Sequence, residues 1–167
     1  MLGFVGLGLG LGAAAGVAWW WLVDLPAYAV GEGGAASTSE RGLTGFVAGD
    51  AWFCATGAVV GLVLGVVAWR RFRDVGWPVV LLGTLTAVAA ALIAWEVGLH
   101  LGPQNFDHRL AAAGPGDQVP IDLTLRTRAS LLIWPFFAVV PILLGSSLGR
   151  DAEDPSPVLR PAVRDSS

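Results

Sequence analysis

Hydrophobic residues fill four long stretches of this chain, and polar residues gather between them. A helix that crosses a bilayer needs about 20 mostly apolar residues. The four stretches meet that length at about residues 2–23, 46–69, 77–99 and 129–148. Only Asp50 and Glu96 are ionisable within them, and each lies near an end. The pattern predicts an all-α polytopic membrane protein, a four-transmembrane-helix bundle over residues 1–149. Residues 150–167 mix Pro, Asp, Ser and Arg without periodicity and read as a disordered cytoplasmic tail.

The connections differ in character. Residues 24–44 are rich in Gly, Ala, Ser and Thr, carry Glu32 and Glu40, and read as flexible. The second and third spans are joined tightly. Residues 100–128 look more ordered: Asn105 is placed to cap a short helix from Phe106 to Ala113, ended by Gly114 and Pro115. Beyond it Val119, Ile121, Leu123 and Leu125 alternate with Pro120, Asp122, Thr124 and Arg126. Period two predicts an extended piece lying on the membrane surface or over the bundle.

Two glycine ladders sit inside the apolar runs: Gly8, Gly12, Gly16 and Gly57, Gly61, Gly65. Each set falls on one helix face and leaves a smooth groove where another backbone can approach closely. The ladders lie on consecutive, antiparallel spans, so the plainer expectation is that these two helices pack against each other within one chain. A homo-oligomer face is the other reading. Gly83, Ala87 and Ala91 give the third span a milder version. Small residues on three helices predict close packing with little room for a wide pore.

Composition agrees with the membrane reading: of 167 residues 54% are hydrophobic and 14% charged, against roughly a quarter charged in soluble domains. The net charge of −3 points to no partner, and no basic stretch with interleaved aromatics suggests nucleic acid. The single Cys54 excludes an intrachain disulfide and a Cys-based metal site.

Tryptophans mark the span ends. Trp19, Trp20 and Trp21 close the first, Trp52 opens the second, Trp69 and Trp77 flank the tight connection, and Trp95 closes the third. Such amphipathic rings are expected at headgroup level; Trp134, more than a turn inside the fourth span, is the exception. Arg70, Arg71 and Arg73 crowd the tight connection, and Arg150, Arg160 and Arg164 follow the last span. Arg41, Arg109, Arg126 and Arg128 fall on the other side. The positive-inside rule then puts both termini in the cytoplasm, with Arg126 and Arg128 as the counter-evidence.

Two further patterns touch the N-terminal half. Ala27-Tyr28-Ala29 would suit signal-peptide cleavage, but the apolar run is long and no positive segment precedes it. That missing segment also leaves room for a start further upstream. The first and third spans both exit through Trp, an acid and Pro (Trp21, Asp24, Pro26; Trp95, Glu96, Pro103), a faint sign of a duplicated hairpin.

Candidate chemistry is sparse. Asp24, Asp50, Glu96 and His100 fall at the expected outer boundary, and Glu96 and His100 share a helix face at a spacing of four. A carboxylate beside an imidazole can bind a metal or relay a proton. The plainer reading is an interfacial acid and a solvated His, because Glu96 lies far enough along its helix to reach the headgroups. A metal would need a third ligand from His108, Asp107 or the first-loop acids. Arg70, Arg71 and Arg73 can grip anionic headgroups or simply set topology. Pro135 and Pro141 interrupt the last span, and Pro141, mid-helix, is the stronger kink. No HExxH, CxxC, Ser-His-Asp set, phosphate loop or dinucleotide fingerprint is present. The run Gly6–Gly12 resembles a Gly-rich loop only in letters, since it lacks a preceding strand.

The layout resembles a family of small uncharacterised four-span membrane proteins from high-GC Gram-positive bacteria. The residues carrying the likeness are Pro26, Gly31-Glu32, Asp50 with Phe53, Gly102-Pro103 and Trp134-Pro135. The resemblance implies membership and topology, and no activity. Together these readings predict a non-catalytic accessory or scaffold subunit of the cytoplasmic membrane, without a cofactor. Its expected partners are the lipid bilayer and another membrane protein or a second copy. The alternative is a small transporter or ion-coupled permease component using Glu96 and His100. A membrane enzyme would need an open acid–His cleft.

Overall fold

A computed structural model describes residues 1–31, 36–37 and 40–148, with side chains over 1–31 and 47–148. The tail expected at 150–167 and Glu32 of the first connection lie outside the described residues, as does the Glu40 side chain. Four helices are long and apolar enough to cross a membrane. They are α1 (Leu2–Leu22), α2 (Glu40–Phe72) from Val47 onward, α3 (Pro78–Leu101), and α5 (Ile133–Leu148) with its leading turn. Between α3 and α5 lies the short α4 (Phe106–Ala112).

Helix limits follow local chemistry. α1 ends at Val23, whose extended backbone still donates its N–H to Trp19 O at 3.2 Å. α2 begins at Glu40 rather than near Phe46; its 33 residues span about 50 Å at 1.5 Å per residue, more than the roughly 30 Å hydrocarbon core. The chain then reverses through a 3-10 turn, Arg73–Val75, and Gly76 at φ 80, a backbone region open to glycine. Pro78 opens α3, where its missing N–H costs nothing. The last span opens with a 3-10 turn, Arg128–Leu132, so the α-helix starts at Ile133 and not near Ala129.

The glycine ladders do seat neighbouring helices within the chain, but not each other. α1 packs along α3, and α2 along α5. Gly8 faces Thr86; a Cβ on Gly12 would stand 2.5 Å from Ala90 O and 2.8 Å from its Cα, and one on Gly16 2.6 Å from Ala94 O. In the second ladder Gly57 lies against the Trp134 indole, Gly61 against Trp134 O, and Gly65 against Ala138 O. The expectation that the two ladders form one seam between the first two helices is therefore corrected. Shape gives the reason: two facing grooves would enclose a void, whereas a groove filled by an Ala ridge or a Trp ring reaches interior packing density.

The first connection is also more regular than expected. β1 (Ala27–Val30) is the centre of a three-stranded antiparallel sheet in the order β2-β1-β3, between β2 (Ala36–Ser37) and β3 (Gln118–Pro120). Tyr28 stands opposite Val119, and Val30 opposite Ala36. The extended segment expected after α4 lies over the bundle: Val119 and Leu123 are buried, and Leu123 packs on Gly102. Only Gln118–Pro120 of it forms ladder pairs. Asn105 precedes α4 but sits in the left-handed region at φ 59 and makes no side-chain cap. Asp122 takes that role instead, its Oδ2 accepting from Phe106 N at 3.2 Å.

Candidate functional site

The loop-bearing end holds the residues singled out for chemistry, and the fold separates them. Asp50, one turn beyond the point where α2 becomes apolar, faces the segment leading into the last span. Its Oδ1 accepts from Arg126 N at 3.1 Å and its Oδ2 from Thr127 N at 2.9 Å. These charge-assisted bonds occupy both carboxylate oxygens, which makes Asp50 a fastener between α2 and the segment before α5. Asp24 is exposed, just past the end of α1. Glu96 and His100 do meet, with His100 Nε2 3.7 Å from Glu96 Oε2, but their side chains are 60% and 77% exposed. They point off the bundle and not into it. Among the described residues no three His, Cys, Asp or Glu side chains converge as a metal would need.

A chain of aromatic rings fills the centre of this end. Trp19, Phe53 and Trp134 are fully buried. Trp19 and Phe53 centroids are 5.1 Å apart, edge to face, and Phe53 and Trp134 are 5.5 Å apart. Trp19 rests on Gly98 of α3 and donates its indole N–H to Gly49 O of α2 at 2.8 Å. Three helices are thus joined through one side chain. Trp19 is a core residue rather than the interfacial anchor expected from its position; Trp21, 78% exposed, keeps that role. Trp134 rests on Gly57, and its indole N–H has no partner among the described residues.

Sequence reasoning missed a second fastener. Arg109 of α4 donates from its guanidinium to Asp122 Oδ1 at 2.8 Å and from Nε to Gln104 O at 2.9 Å. Both charged side chains are about one third exposed. In the sequence Arg109 stands out only as a topology charge. Asp122 lay among alternating residues, and a partner 13 positions away leaves no periodic trace.

The opposite end gathers the N-terminus of α1, the tight α2–α3 connection and the end of α5. Phe4 and Phe72 rings are 5.7 Å apart. A cavity of about 1090 Å³ opens here between α2, α3 and α5. Val66, Val80 and Pro141 form part of its apolar wall, and Arg70, Arg73 and Asp74 part of its polar edge. Trp69, which forms another side, packs on Gly145.

No family model, curated protein or solved structure significantly matches this chain. Several residues that the sequence singles out as motifs have structural tasks at the loop-bearing end. Pro26 O accepts from Ile121 N at 3.0 Å, Asp50 holds two amides, Phe53 stacks between two tryptophans, and Gly102 admits Leu123.

Proposed function

We propose that this protein is a non-catalytic accessory or scaffold subunit of a membrane complex, and a member of the four-span family its short motifs resemble. One observation carries this reading. Among the described residues, the only buried polar or charged side chains are Thr86 and Ser130. Ion-coupled transport relies on ionisable groups facing the bundle interior or a water-filled cavity, and Glu96 and His100 face away from the core. The loop-bearing end is fastened instead: Asp122 and Arg109 join the segment after β3 to α4, and Asp50 joins the residues before the last span to α2, which offers a surface for a partner.

The reading places the protein in the cytoplasmic membrane with both termini inside. Its support is the concentration of Arg70, Arg71 and Arg73 at the end that also carries Phe4 and the end of α5. Mild-detergent extraction from native membranes is expected to bring down a second membrane protein. Recovery of an isolated monomer under several extractions would reject the subunit reading. For orientation, cysteines at Ser37 and Ser156 in a Cys54→Ala background are expected to label from outside and inside respectively; labelling of Ser156→Cys from outside would invert it.

A further inference from the structure

We propose that the cavity between α2, α3 and α5 is a binding site for one anionic phospholipid, with its phosphate at Arg70 and Arg73 and an acyl chain along Val66, Val80 and Pro141. Three features converge on that ligand. The first is size: the half-open groove, about 1090 Å³, stands at the upper end of pocket volumes, about 1,000 Å³, and leaves room for a headgroup with part of a chain. The second is polarity, which is graded along the cavity. Valine, leucine and proline side chains line the wall contributed by the spans, and the arginines stand where α2 leaves the apolar run. A free anion would gain nothing from the apolar wall, and a zwitterionic lipid, whose headgroup cation offsets its phosphate, gains less from the arginines than a net-anionic one.

The third feature is charge left available. Among the described residues Arg70 has no ion-pair or hydrogen-bond partner, and Arg73 has only an exposed contact of 3.9 Å with Asp74. Trp77, 74% exposed beside the cavity, is an amphipathic ring of the kind that settles at headgroup depth. An arginine near an anionic membrane surface favours it by about fivefold. Two arginines, partly offset by Asp74, set a selectivity of about tenfold for an anionic over a zwitterionic lipid.

The test is native mass spectrometry of the full chain, loaded with phosphatidylglycerol and phosphatidylcholine of the same acyl composition. Wild type is expected to retain phosphatidylglycerol about tenfold better, and Arg70→Gln/Arg73→Gln to bring the ratio near one. Arg71→Gln removes the same type of charge outside the cavity and is expected to leave the ratio within about twofold of wild type. Ser146→Trp, at an exposed lining position, is expected to reduce retention with every arginine in place. Its tolerance by the fold is checked by an unchanged melting temperature. Equal loss from Arg71→Gln would mean a diffuse basic surface and overturn the site. Displacement of the lipid by millimolar inorganic phosphate would overturn the lipid as ligand. So would a wild-type chain without preference that gains one once Asp151, Glu153 and Asp154 are neutralised, since the cavity would then belong to that acidic segment.

Discussion

The indole N–H of Trp19 donates to the carbonyl of Gly49 across 2.8 Å, linking the end of α1 to the start of the apolar part of α2. The bond is buried, and Gly49 O sits inside α2, where it also accepts from its own helix, so losing the indole donor removes a second bond from an already paired carbonyl. Trp134 is equally buried, but its N–H has no acceptor among the described residues. The two tryptophans therefore separate ring packing from hydrogen bonding. Trp19→Phe and Trp134→Phe both shrink a ring seated on glycine, and only the first removes a bond. Trp19→Phe is expected to destabilise by about 0.5–1.5 kcal/mol more than Trp134→Phe, read by unfolding in mixed micelles. Equal losses would show that the Trp19 bond contributes nothing net.

α1 carries glycines on two faces, and only one is packed. Gly12→Ala would drive a methyl into the Ala90 backbone, whereas a Cβ on Gly10 meets nothing within 4 Å. Overpacking of this kind costs about 1–3 kcal/mol. Gly12→Ala is expected to lower the melting temperature and Gly10→Ala to leave it unchanged or raise it, since Ala is the better helix former. Gly12→Leu and Gly61→Leu are expected to disrupt the folded monomer before any association with a partner. A folded Gly12→Leu monomer that has merely lost its partner would contradict the α1–α3 seam.

Asp50→Ala removes the acceptor for two backbone amides, Arg126 and Thr127. Those amides are at the surface, where water can replace the carboxylate, so the expected effect is local rather than global. Limited trypsin digestion after Arg126 and Arg128 should speed up several-fold while the melting temperature changes little. Unchanged cleavage would show that the Asp50 bonds do not hold the segment.

The Glu96–His100 contact is long and exposed, and surface pairs of this kind contribute about 0–1 kcal/mol. Glu96→Gln is expected to leave stability and partner association unchanged. Abolition of a proton- or ion-dependent flux by the same substitution in proteoliposomes would revive the transporter reading and count against the scaffold.

Much of the bundle was legible because its signal is local. Leu2–Leu22 and Pro78–Leu101 fall within two residues of the apolar runs, since in lipid every backbone group must be satisfied inside its own helix. The sheet was not legible. Ala27–Val30 is short and looks like linker, and its partner Gln118–Pro120 lies some ninety residues on; pairing at that distance depends on where the helices place the two ends. The candidate site divides in the same way. Sequence spacing put Glu96 and His100 on one helix face, but not the direction in which that face turns.

The sequence by itself determined four spans, the limits of the first and third to within two residues, the presence of two smooth helix faces and the crowding of arginine at one connection. All of these are properties of a segment and its solvent. Tertiary structure decided which ridge fills each groove, α3 against α1 and α5 against α2. It also decided that Trp19 faces inward, that Asp50 is a fastener, and that Arg70 and Arg73 edge a cavity. The physical reason is that a groove, a ring or a carboxylate has many acceptable partners in one dimension. Only simultaneous packing of all four helices, which fills the glycine grooves and pairs most buried groups, selects among them.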